Sequence, residues 1–272
     1  MQGYKMNYSS GSDFSYHAGA YRNSSIDLLT DCSPKKMDLQ SLPSLNDLVL
    51  ADAFLSDKKM SRNYAGLYLS NSIQNYFTIE PFLTNAVKTE FVDDAELIEE
   101  PCRLAFKATT GNDLPKNIRI HLCNESELKQ MHSKNGGKWS AEIQGFSINR
   151  GHKKVSDVFV KKDSFDRVMI TLGHEIGHVI SPALNDVRDE EAKAFAFSIA
   201  WMNAIIDNNI AGLTNAINPL PANNGIHDAG FEFVQSQLYN QKINAVTAFD
   251  IFRQLADGLI SINNQLEKIM MN

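Results

Sequence analysis

Apolar residues recur at three- and four-residue spacing from Phe165 through Val168, Met169, Leu172 and Ile176 to Val179. That is the period of a helix burying one stripe. Asp163 or Ser164 can cap its start, Asp166 suits its first turn, and Pro182 stops it. Gly173 and Gly177 weaken the helix locally, which predicts a packing reason for each. Upstream, Asp94–Ala108 reads as an amphipathic helix with Leu97, Ile98, Cys102, Leu104 and Ala105 inward, a kink at Pro101 and a stop at Gly111-Asn112. Asn117–Cys123 alternates apolar and polar residues, the pattern of a half-buried strand with His121 on the polar phase and a surface role. A short helix over Ser126–His132 follows. Trp139–Asn149 predicts a strand pair or a strand bulged around Gly145, and Val155–Val160 a further strand.

After Pro182 a helix is expected from Asp189 through Ile206, then a loop over Asn218–Gly225 and a helix around Phe231. A last helix or pair covers residues 245–269, with Phe249, Phe252, Leu255, Leu259 and Ile262 on one side. Residues 1–36 are rich in Ser, Asn, Tyr and Gly without a sustained period and read as disordered or loosely attached. Leu45, Leu48, Val49, Ala53 and Leu55 form a weak helical stripe, and Tyr64–Phe77 suggests another short helix. Residues 1–90 therefore read as an N-terminal arm: a pro-segment, a partner-binding arm or an accessory region. A compact α+β domain with a helical C-terminal part spans residues 91–272.

Net charge of −6 argues against a nucleic-acid binder working through a basic face. No run of eighteen apolar residues is present to span a membrane, and the first thirty residues lack a signal-peptide core. The three cysteines, Cys32, Cys102 and Cys123, are scattered without a CxxC pair, which favours reduced thiols and a cytoplasmic protein.

The helix from Phe165 carries His174-Glu175-Ile176-Gly177-His178, an HExxH pattern. Histidines four apart on a helix lie about 6 Å apart along the axis and roughly 40° apart around it, so both imidazoles can grip one ion. Zinc suits them, since it takes neutral imidazole nitrogen in tetrahedral geometry. Glu175, about 100° around from His174, is badly placed as a ligand of that grip and well placed to act as a general base. Two histidines leave the tetrahedron short of a protein ligand. Asp189, Glu190 and Glu191 open the next helix, and Ala192, Ala194, Ala196 and Ala200 behind them permit close helix approach. His227, beside Asp228, is a candidate donor to the oxyanion of a tetrahedral intermediate.

HEIGH followed by EEAKAFAF resembles the HExxH-plus-glutamate-helix pattern of the gluzincins, especially the minigluzincins and the ImmA/IrrE-type peptidases. That last group often carries ExxA(N/D)xFA on the second helix. Placing Glu191 first keeps Ala194 and Phe197, whereas Asp189 keeps Ala192, Phe195 and Ala196 but exchanges glutamate for aspartate. Neither register has Asn or Asp after the alanine. The resemblance covers roughly residues 91–205. It implies a zincin-like catalytic domain with a small mixed sheet, zinc on His174, His178 and Glu191, with Glu190 and Asp189 behind it as alternatives, and Glu175 as the base. A peptide or protein would be the substrate, and the strand nearest the metal, here Gly145–Ile148, would offer an open edge to it. A non-catalytic sensor module and a zymogen held off by residues 1–90 are the competing expectations.

Overall fold

The computed structural model describes residues 29–31, 77–151, 153–221, 229–240 and 246–262. The predicted helices before Phe77 and the position of His227 lie outside these residues. Four strands form a mixed sheet: β1 (Leu29–Asp31), β2 (Ile118–Cys123), β3 (Gly145–Ile148) and β4 (Ser156–Lys161). Their order is β1-β2-β4-β3. β1 and β4 run parallel to β2, while β3 runs antiparallel to β4 and forms the edge among the described residues. Six α-helices are described: α1 (Glu96–Thr110), α2 (Glu125–Lys134), α3 (Phe165–Val179), α4 (Val187–Asp207), α5 (Ala229–Asn240) and α6 (Ala248–Ala256). The architecture is α+β, with a small mixed sheet and helices following it.

Local chemistry accounts for the element ends. Asn124 caps α2 in a reciprocal pair with Glu127, and Thr247 does the same for α6 with Asp250. Gly111 closes α1 at φ 76°, a left-handed conformation that glycine adopts without steric cost. α4 begins two residues before the expected Asp189, because the Asp186 carboxylate accepts from the amides of Arg188 and Asp189.

The main core lies between the sheet and α1, α3, α4, α5 and α6, with Ile118, Ile120, Leu122, Val158 and Val160 from the sheet. A smaller cluster on Cys123, Leu128, Ile143, Phe146, Ile148 and Phe159 closes the sheet near α2. Several expectations need correction. On α1 the buried face is Ile98, Cys102, Ala105 and Phe106, whereas Leu97 and Leu104 are exposed. Leu97 and Leu104 are seven residues apart and share their own stripe, offset from the buried one by a helical step of about 100°. Residues 139–144 do not join the sheet, so the predicted pair reduces to β3 alone. Leu259 lies beyond the end of α6 and is exposed. Cys123 is disulfide-bonded, against the expectation of reduced thiols, while Cys102 is a buried free cysteine.

The boundary expected at residue 91 falls inside a strap that follows Phe77. Ile79 and Phe82 are fully buried. Leu83 bridges Ile217, and the Asn218 amide donates to the Phe82 carbonyl at 2.7 Å. Further along, the Phe165 amide donates to the Glu90 carbonyl and the Val92 amide to that of Asp163, each at 2.8 Å. The Thr89 hydroxyl donates to Asp166 at 2.7 Å. The strap thus holds the first turn of α3.

The two glycines of α3 have the packing reasons their positions suggest. A Cβ on Gly177 would stand 3.0 Å from Ala194 Cα and 3.0 Å from Phe197 Cβ on α4. One on Gly173 would meet Trp201 Cδ1 at 2.5 Å. The indole is fixed there, fully buried and donating to the Met169 carbonyl at 2.9 Å. Gly173→Ala would gain about 1 kcal/mol of helix propensity but overpack this contact at a cost of about 1–3 kcal/mol. The expected outcome is a net loss of stability in urea unfolding, with the denaturant slope unchanged.

Candidate metal centre

His174 and His178 sit on the inner face of α3, and both are buried. Their Nε2 atoms are 3.3 Å apart. Glu191, in the first turns of α4, brings Oε2 to 3.5 Å from His174 Nε2 and Oε1 to 3.9 Å from His178 Nε2. The ligand atoms of the three residues all lie within 4.8 Å of one another. A tetrahedron with bonds of about 2.0–2.1 Å has edges of about 3.3–3.4 Å. The His/His/Glu group could therefore hold a metal ion with little movement.

The tautomer supports the same use. His178 Nδ1–H donates to Glu190 Oε1 at 2.9 Å, so Nε2 is the ring nitrogen that faces the group. Two imidazole nitrogens facing each other at this distance repel unless a proton or a cation lies between them. The surrounding charge asks for one too. Burial alone would lower the His178 pKa, but Glu191, Glu190 and Glu175 overcome it and hold the imidazole up at about 9. Burial raises Glu175, against the pull of His178 and His174 and a hydrogen bond with Ser147. Burial also acts to raise Glu191, but His178 and His174 outweigh it and the carboxyl titrates below its usual range. Lys193 offsets Glu190 through an ion pair of 2.8 Å, with both side chains fully buried. Glu175 and Glu191 are left to be balanced by protons or by a cation.

The three acids at the start of α4 divide their work. Asp189 Oδ1 accepts from the Ile262 amide at 2.8 Å. Glu190 accepts from His178 and, through Oε2, from the Leu184 amide at 2.8 Å. Of the three, Glu191 is the one whose carboxylate joins both histidine Nε2 atoms in the candidate metal group. Successive helical side chains point about 100° apart, so three consecutive acids cannot all face one site.

Two residues of the β3 strand and its end complete the surroundings. Ser147 hydrogen-bonds Glu175. Asn149 donates from its side chain to the carbonyls of His178 and Ser181, at 2.6 and 2.7 Å, and ties the end of α3 to the sheet. Gly145 lies so close that a Cβ there would meet Glu175 Cγ at 3.2 Å and the Phe159 carbonyl at 2.9 Å. Sequence reasoning missed Ser147, Asn149 and the His178–Glu190–Lys193 chain. A carboxylate next to a ligand candidate was the available signal for Glu190. Nothing in the sequence pointed to Ser147 or Asn149. His121, expected at the surface, is half-buried and bonds Asp157 at 2.8 Å, away from this group. The chain matches no protein-family model, no curated protein and no solved structure, so the centre is read from its own geometry.

Partners that hold a metal-ligating histidine by its second nitrogen typically contribute ten- to a hundredfold in metal affinity. Glu190→Gln should accordingly weaken binding of a divalent metal about 10- to 100-fold in a chelator competition, and His178→Ala should abolish it. Equal affinity in Glu190→Gln and the unaltered protein would remove Glu190 from this role.

Proposed function

We propose that the protein is a zinc-dependent metallopeptidase in which His174, His178 and Glu191 hold the metal and Glu175 is the general base. The observation that carries this reading is the buried carboxylate of Glu175 beside a His/His/Glu group of metal-binding dimensions. A site that only bound a metal for structure would have no use for a buried acid there. When bound, zinc would polarise a carbonyl oxygen and lower the pKa of a water at its open corner toward about 7.

The remaining steps belong to the chain. Glu175, raised by burial, takes a proton from the attacking water and passes it to the leaving amine. Ser147 steadies the carboxylate through its hydrogen bond. β3, paired on one side only among the described residues, offers backbone groups to an extended peptide. Gly145 lets this strand lie close against α3, since a Cβ there would meet Thr171 Cγ2 at 2.6 Å and Glu175 Cγ at 3.2 Å. The resemblance to the gluzincins supports the same assignment. Peptide or protein substrates are thus the partners proposed, and His227 keeps its proposed role as oxyanion donor, outside the described residues. No described helix is long and apolar enough to cross a membrane.

Glu175→Gln keeps the shape of the base and removes its proton affinity. The variant should bind zinc with wild-type stoichiometry by elemental analysis and lose about 10²- to 10⁴-fold in peptide hydrolysis. Undiminished turnover would remove Glu175 as the base. Zinc bound without hydrolysis of any peptide in a diverse library, by the unaltered chain, would favour the binding module instead.

A further inference from the structure

The two histidines of the metal group are held in different ways. His178 is oriented through Nδ1 by Glu190. His174 is equally buried, yet its Nδ1 has no hydrogen-bond partner among the described residues. An imidazole turns about a broad, roughly two-fold torsion, so a ring without such a bond needs another constraint to aim Nε2. Phe77 supplies a flat surface for it. The two rings are parallel to within 3° and their centroids are 4.0 Å apart. Phe195 meets the imidazole edgewise at 5.0 Å and 66°, and His178 does so at 4.9 Å and 87°. Of the three, only Phe77 lies flat on the ring, and so opposes rotation out of the ligating plane over the ring's full width.

Phe77 is itself fixed. It packs on Phe82 and Phe195 at 5.6 Å each, and Phe82 in turn meets Phe231 edge-on at 5.5 Å. Two residues on, the chain is anchored by the buried Ile79, by the Arg167–Glu80 ion pair at 2.9 Å and by the hydrogen bond from Asn218 to Phe82. We propose that Phe77 is a positioning residue for the metal ligand His174, its ring face substituting for the hydrogen bond that Nδ1 lacks. The segment ahead of the domain boundary expected from sequence thereby contributes to the metal centre. This inference rests on the metal-site reading above.

The test compares zinc affinity, by competition with a chromogenic chelator, in Phe77→Ala, Phe77→Leu and Phe77→Tyr. Leu keeps apolar bulk and lacks a planar face; Tyr keeps the face. A stacked aromatic pair is worth about a threefold to tenfold change in an equilibrium. Both Ala and Leu should therefore weaken zinc binding by about that factor, and Tyr should restore it. The visible spectrum of the cobalt-loaded protein should shift in Leu and return in Tyr, a signature that a loss of packing alone would not produce. The melting temperature of each variant without added metal monitors folding, and the Leu/Tyr pair decides the matter if Ala does not fold. Wild-type affinity and an unshifted cobalt spectrum in Phe77→Leu would overturn the positioning role while leaving the centre intact. Absence of zinc binding in the unaltered protein would overturn the centre itself, and the role of Phe77 with it.

Discussion

Two helices must come close enough to share one small group of ligand atoms, and most of the structure serves that approach. Gly177 faces Ala194 and Phe197 so closely that a Cβ would stand 3.0 Å from each. One turn earlier Gly173 receives the Trp201 indole. A Cβ at either position would crowd α4, the helix that carries Glu191. The glycines lower helix propensity by about 1 kcal/mol each, and close packing offsets that cost. The chemistry of the centre and the packing of the core are therefore the same constraint seen at two points on one interface.

Burying this much charge needs compensation, and the chain supplies it in layers. Lys193 is fully buried, pairs with Glu190 and donates to the Pro182 carbonyl at 3.2 Å. Glu190 in turn holds His178 and the Leu184 amide. The loop between α3 and α4 is thus stitched to the carboxylate that orients His178. A buried ion pair gives little net stability, since desolvation consumes much of the attraction. Its use here is placement, because Lys193 and Glu190 are each held by more than one partner.

What could be read from sequence follows from how local each signal is. The HExxH helix, its apolar stripe and the packing demand of its glycines depend on spacing within one helix, and all three appear in the structure. The edge position of Gly145–Ile148, which the gluzincin resemblance implies, is also found among the described residues. The misreadings concern choices made by distant partners. Leu97 and Leu104 have a helical period as good as that of Ile98 and Cys102; only the orientation of α1 against α4 decides which stripe is covered. Residues 139–144 alternate well enough for a strand, but β3 pairs with β4 only from Gly145 on. Cys123 is disulfide-bonded, and spacing along the chain carries no trace of that.

The acidic run at the head of α4 shows why local spacing stops short of a ligand assignment. Asp189, Glu190 and Glu191 are alike in charge and sit one step apart, so composition cannot rank them. Helical geometry sends them in three directions, and each direction has its own claimant: the Ile262 amide, the His178 ring and the His/His pair. The same reasoning extends to the ring of His174. With Glu190 engaged by His178, no acid of this run is left to orient the second imidazole, and the surface lying on it comes from Phe77, 97 residues earlier in the chain. A centre whose two histidines are steadied by different means, one by a carboxylate and one by an aromatic face, should respond differently to loss of each. Charge removal at Glu190 changes the electron density a ligand offers, whereas loss of the Phe77 face changes only its aim.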